Sequence, residues 1–169
     1  MNHTHTMASA MNLLERGLPA EALAVVARAL PKRYVVAWAC ECFKTALAGT
    51  SETNDVDRAG LALAQQWLTD PTEDNRRAAL DFAELGEFST PGAWIAATAG
   101  WNGGSLLPRG YDPIPPPDHL PAEAAAAALR LAASQVRAYE GDPVCGQNLL
   151  PGDEWLRGIG LRKHLVDHR

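Results

Sequence analysis

The sequence predicts an all-α fold, a compact bundle or irregular array of about seven or eight short helices, and three observations lead there. Apolar residues recur at spacings of three and four along successive segments, as in Leu23, Val26 and Leu30. Proline and glycine fall between those segments, where helices start and stop. Runs of β-branched residues with strand-like alternation are absent outside helical contexts. With 169 residues the chain is long enough for one domain with a sizeable core. Residues 1–8 are expected to form a flexible tail and 9–169 a single helical domain.

In order, Ser9 can cap a short helix that runs through Leu14 and Arg16 and ends at Gly17. Pro19 opens a second helix, and Pro31 breaks it and opens a third. That third segment, Pro31 to Ala48, is apolar nearly all round, with only Glu41, Lys44 and Thr45 as a narrow polar stripe. It reads as the core helix, with Tyr34, Trp38 and Phe43 inside and Cys40 and Cys42 as small buried side chains. A loop from Gly49 to Thr53 leads to a fourth helix from about Asn54 to Thr69, with Val56, Gly60, Leu63, Ala64, Trp67 and Leu68 as its stripe. Gly60 costs about 1 kcal/mol of propensity there, but lets a neighbouring helix come close.

Asp70, Pro71 and Glu73 read as cap, first helical residue and acidic member of a capping box. Helix five then runs to Leu85, with Ala78, Ala79, Phe82 and Leu85 inward and Glu73, Arg77 and Asp81 paired outward. Thr90-Pro91 opens a sixth helix on which Trp94 and Trp101, seven apart, share a face. Gly103-Gly104 stops it. An arm carrying Pro108, Pro113, Pro115, Pro116 and Pro117 follows, too proline-rich for helix or sheet. Pro121 opens a seventh, alanine-rich helix with Leu129, Ala132, Val136 and Tyr139 as its stripe, ended by Gly141-Asp142-Pro143. A weaker last helix is expected from Asp153 to His168. The short hairpins have no fixed period, so a repeat protein is not expected.

A net charge of −5 with no lysine- or arginine-rich block argues against nucleic-acid or anionic-membrane partners. No apolar run reaches the ~18 residues of a spanning helix. The N-terminus lacks the pattern of a secretory signal, and 3 cysteines, odd and sparse, suit a reducing, cytoplasmic location.

Chemistry is hard to find. His164 and His168 would share a helical face beside Asp167, but a third ligand is missing, so no metal or cofactor is expected. Cys145 sits in a Pro/Gly loop with no base assigned to it, and a buried Cys40 would be inert. Gly103-Gly104-Ser105 follows a helix and offers carbonyls where a phosphate loop offers N–H groups. The carboxylate pairs Asp55/Asp57 and Asp153/Glu154 fall at helix starts, where the dipole accounts for them. No enzyme is expected. The candidate contact surface is the arm and the helix before it: Trp101, Arg109 and Tyr111. Alternatively the arm only packs, burying Leu106, Leu107, Tyr111 and Ile114.

Three segments carry a family resemblance: LPKRYVVAWAC at Leu30–Cys40, RRAALDFAE with TPGAWIAATAGWNGGSLLP within Arg76–Pro108, and PPPDHLPAEAAAAALRLAA at Pro115–Ala133. Over roughly residues 20–140 the chain resembles a family of small, uncharacterised bacterial proteins whose second block usually reads Trp-Ser-Gly-Gly-Ser; here Asn102 replaces the serine. The resemblance implies an all-helical protein often encoded beside type VI secretion components, and it supplies no active site to carry over. The leading expectation is a non-enzymatic interaction protein, an adaptor, chaperone or accessory factor with a protein partner. An immunity or inhibitor protein would instead show Asp and Glu clustered on one face. A small enzyme would show a cleft gathering Arg33, Arg76 and Arg77 with His119.

Overall fold

The structure, a computed structural model, describes residues 3–48 and 54–140, and of the helical ends some backbone only. Among the described residues there are seven helices and no strand: α1 (His3–Glu15), α2 (Pro19–Ala29), α3 (Lys32–Ala48), α4 (Asp55–Thr69), α5 (Glu73–Leu85), α6 (Pro91–Gly100) and α7 (Leu120–Glu140). The expected last helix, Cys145, His164 and His168 lie outside the described residues, as do the side chains of Val136 and Tyr139.

The centre of the fold is α6 rather than α3. Every residue of α6 except Trp94 is buried, and α3, α4, α5 and α7 all pack on it. Its side chains are mostly alanine and glycine, so four helices can surround one that is only ten residues long. The longer α3, which carries the larger apolar side chains, is buried on one side, through Val35, Val36, Trp38, Ala39, Cys40, Cys42, Phe43 and Ala46. Tyr34, expected inside, is exposed. A hairpin of α1 and α2 adds to this core, with α2 and α3 both packed on α7.

Two glycines set the α4–α6 crossing. A Cβ on Gly60 would collide with the backbone of Gly92, and one on Gly92 would collide with the backbone of Asp57. Such contact requires bare backbone on both helices. At the same crossing the Asp57 carboxylate accepts a hydrogen bond from the Gly92 N–H at 2.7 Å. Asp57 is buried, so its partner is the start of α6 and not only the dipole of its own helix. Burial raises the Asp57 pKa above the usual carboxylate value, while the Gly92 N–H and the Thr90 hydroxyl hold it down in part.

Three local details differ from the sequence reading. Helix α1 begins at His3, ahead of Ser9, because Thr6 and Ala10, four apart, are both buried on one face. The cap of α5 is Thr72, whose hydroxyl accepts from the Asn75 N–H at 3.3 Å, while Asp70 receives the Asn75 side-chain amide through its carbonyl (2.8 Å) and carboxylate (3.2 Å). The inward face of α5 is Arg76, Ala79, Leu80 and Ala83; Leu85 is 86% exposed. The stripe is rotated by about one residue because an arginine, not only alanines, points inward.

Gly60→Ala is expected to lower stability by about 1–3 kcal/mol, as overpacking does. The change would be a gain of about 1 kcal/mol on helix propensity alone. Urea unfolding measures the difference, and a midpoint equal to or above that of the unaltered protein would show that the two helices are not in backbone contact.

Candidate protein-interaction surface

The arm starts from a well-made helix. The Thr90 hydroxyl accepts from the Ala93 N–H at 3.1 Å, and Pro91 takes the first helical position. At the turn before it, Glu87 and Phe88 both adopt left-handed conformations (φ 50° and 52°), uncommon for residues with side chains. The turn brings Phe88 onto the one face of α6 that is not fully buried. There Phe88 lies 5.2 Å from Trp94 and 5.5 Å from Trp101, ring centre to ring centre, and the two tryptophans are 6.2 Å apart, edge to face. The seven-residue spacing of the tryptophans therefore builds a half-buried aromatic cluster.

After α6 the chain turns at Gly103 and Gly104, both at positive φ. A Cβ on Gly104 would run into the Arg76 guanidinium. Arg76 is the anchor of the arm. Its side chain is 4% exposed and donates to the carbonyls of Gly100 and Ser105 (3.1 Å) and to both carboxylate oxygens of Glu73 (2.7 and 2.8 Å). The hydrogen bond from Arg76 and the charges of Arg76 and Arg77 hold the Glu73 carboxyl below its usual pKa, against a smaller opposing effect of burial.

Arg77 donates to the Leu107 carbonyl at 3.1 Å. Its Nε lies 2.8 Å from Glu73, close enough for charge attraction but misaligned for a hydrogen bond. Further out, Arg109 pairs with Asp74 on α5. The arm also closes on itself. The Ser105 hydroxyl oxygen accepts from the N–H groups of Leu107 and Ile114, each at 3.0 Å, and the Leu106 N–H donates to the Ile114 carbonyl at 2.8 Å. Residues 107–113 thus form a loop tip on a fixed base.

Leu106 and Leu107 are half-buried, Pro116 is buried, and Tyr111 (69%) and Ile114 (51%) stay exposed. The pure packing reading required all four apolar side chains to be covered, and two are not. Of the three residues singled out from sequence, Arg109 and Tyr111 are together on the tip, while Trp101 packs against Phe88 and Trp94. Arg76 was not legible as the anchor; its adjacency to Arg77 and its place three residues after Glu73 were the available signals. Asn102 also has a role: its amide donates to the Lys32 carbonyl at 2.7 Å, which ties the end of α6 to the start of α3.

The four groups that would mark an enzyme do not converge. Arg33 donates to the Leu68 carbonyl at 2.8 Å, Arg76 and Arg77 hold the arm, and His119 lines a cleft with Arg28 and Lys32. Cys40 is buried and its thiol is pushed up to about 12, mainly by burial, which leaves no thiolate for chemistry at neutral pH. No group of three or more His, Cys, Asp and Glu side chains suited to a metal occurs among the described residues.

Residues 10–147 match a family model described as "Family of unknown function (DUF6931)". The chain belongs to that family. No curated protein and no solved structure matches it.

Arg76→Met is expected to cost about 2–4 kcal/mol, because two buried carbonyls lose their donor. Chemical denaturation tests this; a loss under about 0.5 kcal/mol, the range of ordinary surface changes, would remove Arg76 as the anchor.

Proposed function

We propose that this DUF6931 protein is a non-enzymatic protein-interaction module, and that the arm tip from Arg109 to Pro113, with the exposed side chain of Ile114 beside it, is its contact surface. One observation carries the reading. The base of the arm is held by Arg76, Arg77 and Ser105, yet the tip leaves Tyr111 and Ile114 in water. A pre-ordered loop loses little conformational entropy on binding, and tyrosine is enriched among the residues that dominate interface energy. Arg109, mostly exposed and held by a solvated Asp74, can exchange that partner for a carboxylate on another protein. The half-buried Trp101 packs on Phe88 and Trp94 and is the less direct participant.

In this reading the protein is cytoplasmic and acts as an adaptor, chaperone or accessory factor in a bacterial, type VI-like secretion setting. Support for the setting comes from the sequence resemblance at Leu30–Cys40, Arg76–Pro108 and Pro115–Ala133. A protein is the partner, and neither nucleic acid nor membrane is involved. The net charge supports the first exclusion, and no helix among the described residues is long and apolar enough to cross a membrane. A second reading, an immunity or inhibitor protein, is favoured by one other feature: Asp81, Glu84 and the exposed Leu85 line an open hollow on α5.

Alanine at Tyr111 and at Ile114 separates packing from contact. Thermal melts should stay within about 1 °C of the unaltered protein, and binding to the captured partner should weaken roughly tenfold or more for Tyr111→Ala. If both variants melt earlier and capture falls only in proportion to unfolding, the arm is packing. If Tyr111→Ala captures normally while Glu84→Lys does not, the acidic face is the interface and the second reading stands.

A further inference from the structure

A cleft of about 280 Å³ lies between the α2–α3 turn and the N-terminal end of α7. Its apolar lining is Leu30, Val35, Pro121 and Ala122; its polar lining is Arg28, Lys32, Asp118 and His119. Asp118 alone among these is acidic. Its carboxylate lies 2.5 Å from the Lys32 ammonium, and its side chain is otherwise 93% exposed. Lys32 holds the Asp118 carboxyl below its usual pKa, by hydrogen bond and by charge. Arg28 is engaged at the edge by Glu123, at 2.8 Å from its Nε.

We propose that this cleft binds a small aliphatic carboxylate, with the ligand's carboxylate replacing Asp118 on Lys32 and its chain lying along the half-buried Leu30 and the edge of Ala122. The Lys32–Asp118 pair shows that Lys32, at the rim of the cleft, pairs with a carboxylate. An ion pair with one member almost wholly in water is weakly held, so a competitor needs little advantage to displace it. Burial of a hydrocarbon tail, which Asp118 lacks, supplies that advantage. Once Asp118 has moved away, the Lys32 ammonium is left without its carboxylate, while Arg28 stays paired with Glu123 in the first turn of α7. The volume falls just under the ~300 Å³ at which pockets for drug-sized ligands begin, so the ligand is small.

Displacement has a second consequence. Lys32 clasps both ends of the arm, Asn102 through its carbonyl and Asp118 through its ammonium. A bound carboxylate therefore opens the clasp at the Asp118 end. This proposal does not depend on the arm tip being an interface.

The test is titration of the full chain with sodium butanoate, hexanoate and octanoate, followed by calorimetry and by amide shifts of Val35 and Ala122. Affinity is expected to rise about fourfold per added methylene until the cleft is full. Hexan-1-ol and hexylamine should bind about tenfold more weakly than hexanoate. Lys32→Met keeps the carbonyl that holds Asn102 and should weaken hexanoate by about tenfold. Asp118→Asn removes the competitor and should tighten it. If no chain gives saturable binding at this cleft, or hexan-1-ol binds as well as hexanoate, the proposal fails. It also fails if Asp118→Asn weakens binding, since Asp118 would then be part of the structure and not a stand-in for the ligand. Should Lys32→Met not fold, the sign of the Asp118→Asn effect decides alone.

Discussion

The Arg76 guanidinium lies where almost no water reaches it. A buried charge is costly unless it is both paired and hydrogen-bonded. Arg76 meets both conditions with groups from separate parts of the chain: Glu73 on its own helix, Gly100 at the end of α6, and Ser105 at the start of the arm. Its requirements therefore fix where α5 sits against α6 and where the chain goes next. Gly104 must be left-handed and without a side chain, since a Cβ would occupy the guanidinium's place. Ser105, positioned by that contact, then gathers the N–H groups of Leu107 and Ile114 and gives the arm its shape. Arg77 and Arg109 repeat the pattern further along, each reaching from α5 or the arm to the other.

The helical class was legible because proline and glycine punctuate the sequence at nearly every boundary. Pro19 and Pro91 start helices in the structure, and Gly17 and Gly86 follow the ends of others. The identity of the central helix was not legible, for a physical reason. Apolar bulk marks α3, but centrality depends on how many helices can approach, and only alanine and glycine allow four neighbours around ten residues. The rotation of α5 was missed in the same way. A reading that sends arginine outward places Leu85 inside, whereas Arg76 is satisfied by carbonyls far along the chain, which local periodicity cannot show.

The candidate surface was half legible. Tyr111 and Arg109 stood out as an aromatic and a cation on a proline-rich arm, and both are exposed at its tip. Trp101 stood out for its spacing from Trp94, and that spacing builds packing with Phe88. What the sequence could not give is the attachment of the arm at both ends to Lys32 and along its base to α5, because each of those bonds joins residues far apart in the chain. The attachment separates a display loop from a linker. A linker would have to order itself on binding; in the proposed reading the arm is held at its base beforehand, so partner contacts at its tip would not have to offset that cost. The same attachment places the cleft at the arm's far end, beside Asp118.

Amide hydrogen exchange of the free protein tests the central claim, that the arm is ordered by its base before any partner binds. The N–H groups of Leu106, Leu107 and Ile114 are hydrogen-bonded within the arm and should exchange roughly a hundredfold or more slowly than those of Tyr111 and Asp112 at the tip. If all five exchange at the rate of an open chain, the arm is not held by Arg76 and Ser105, and its exposed tyrosine is a feature of a mobile loop and not of a displayed surface.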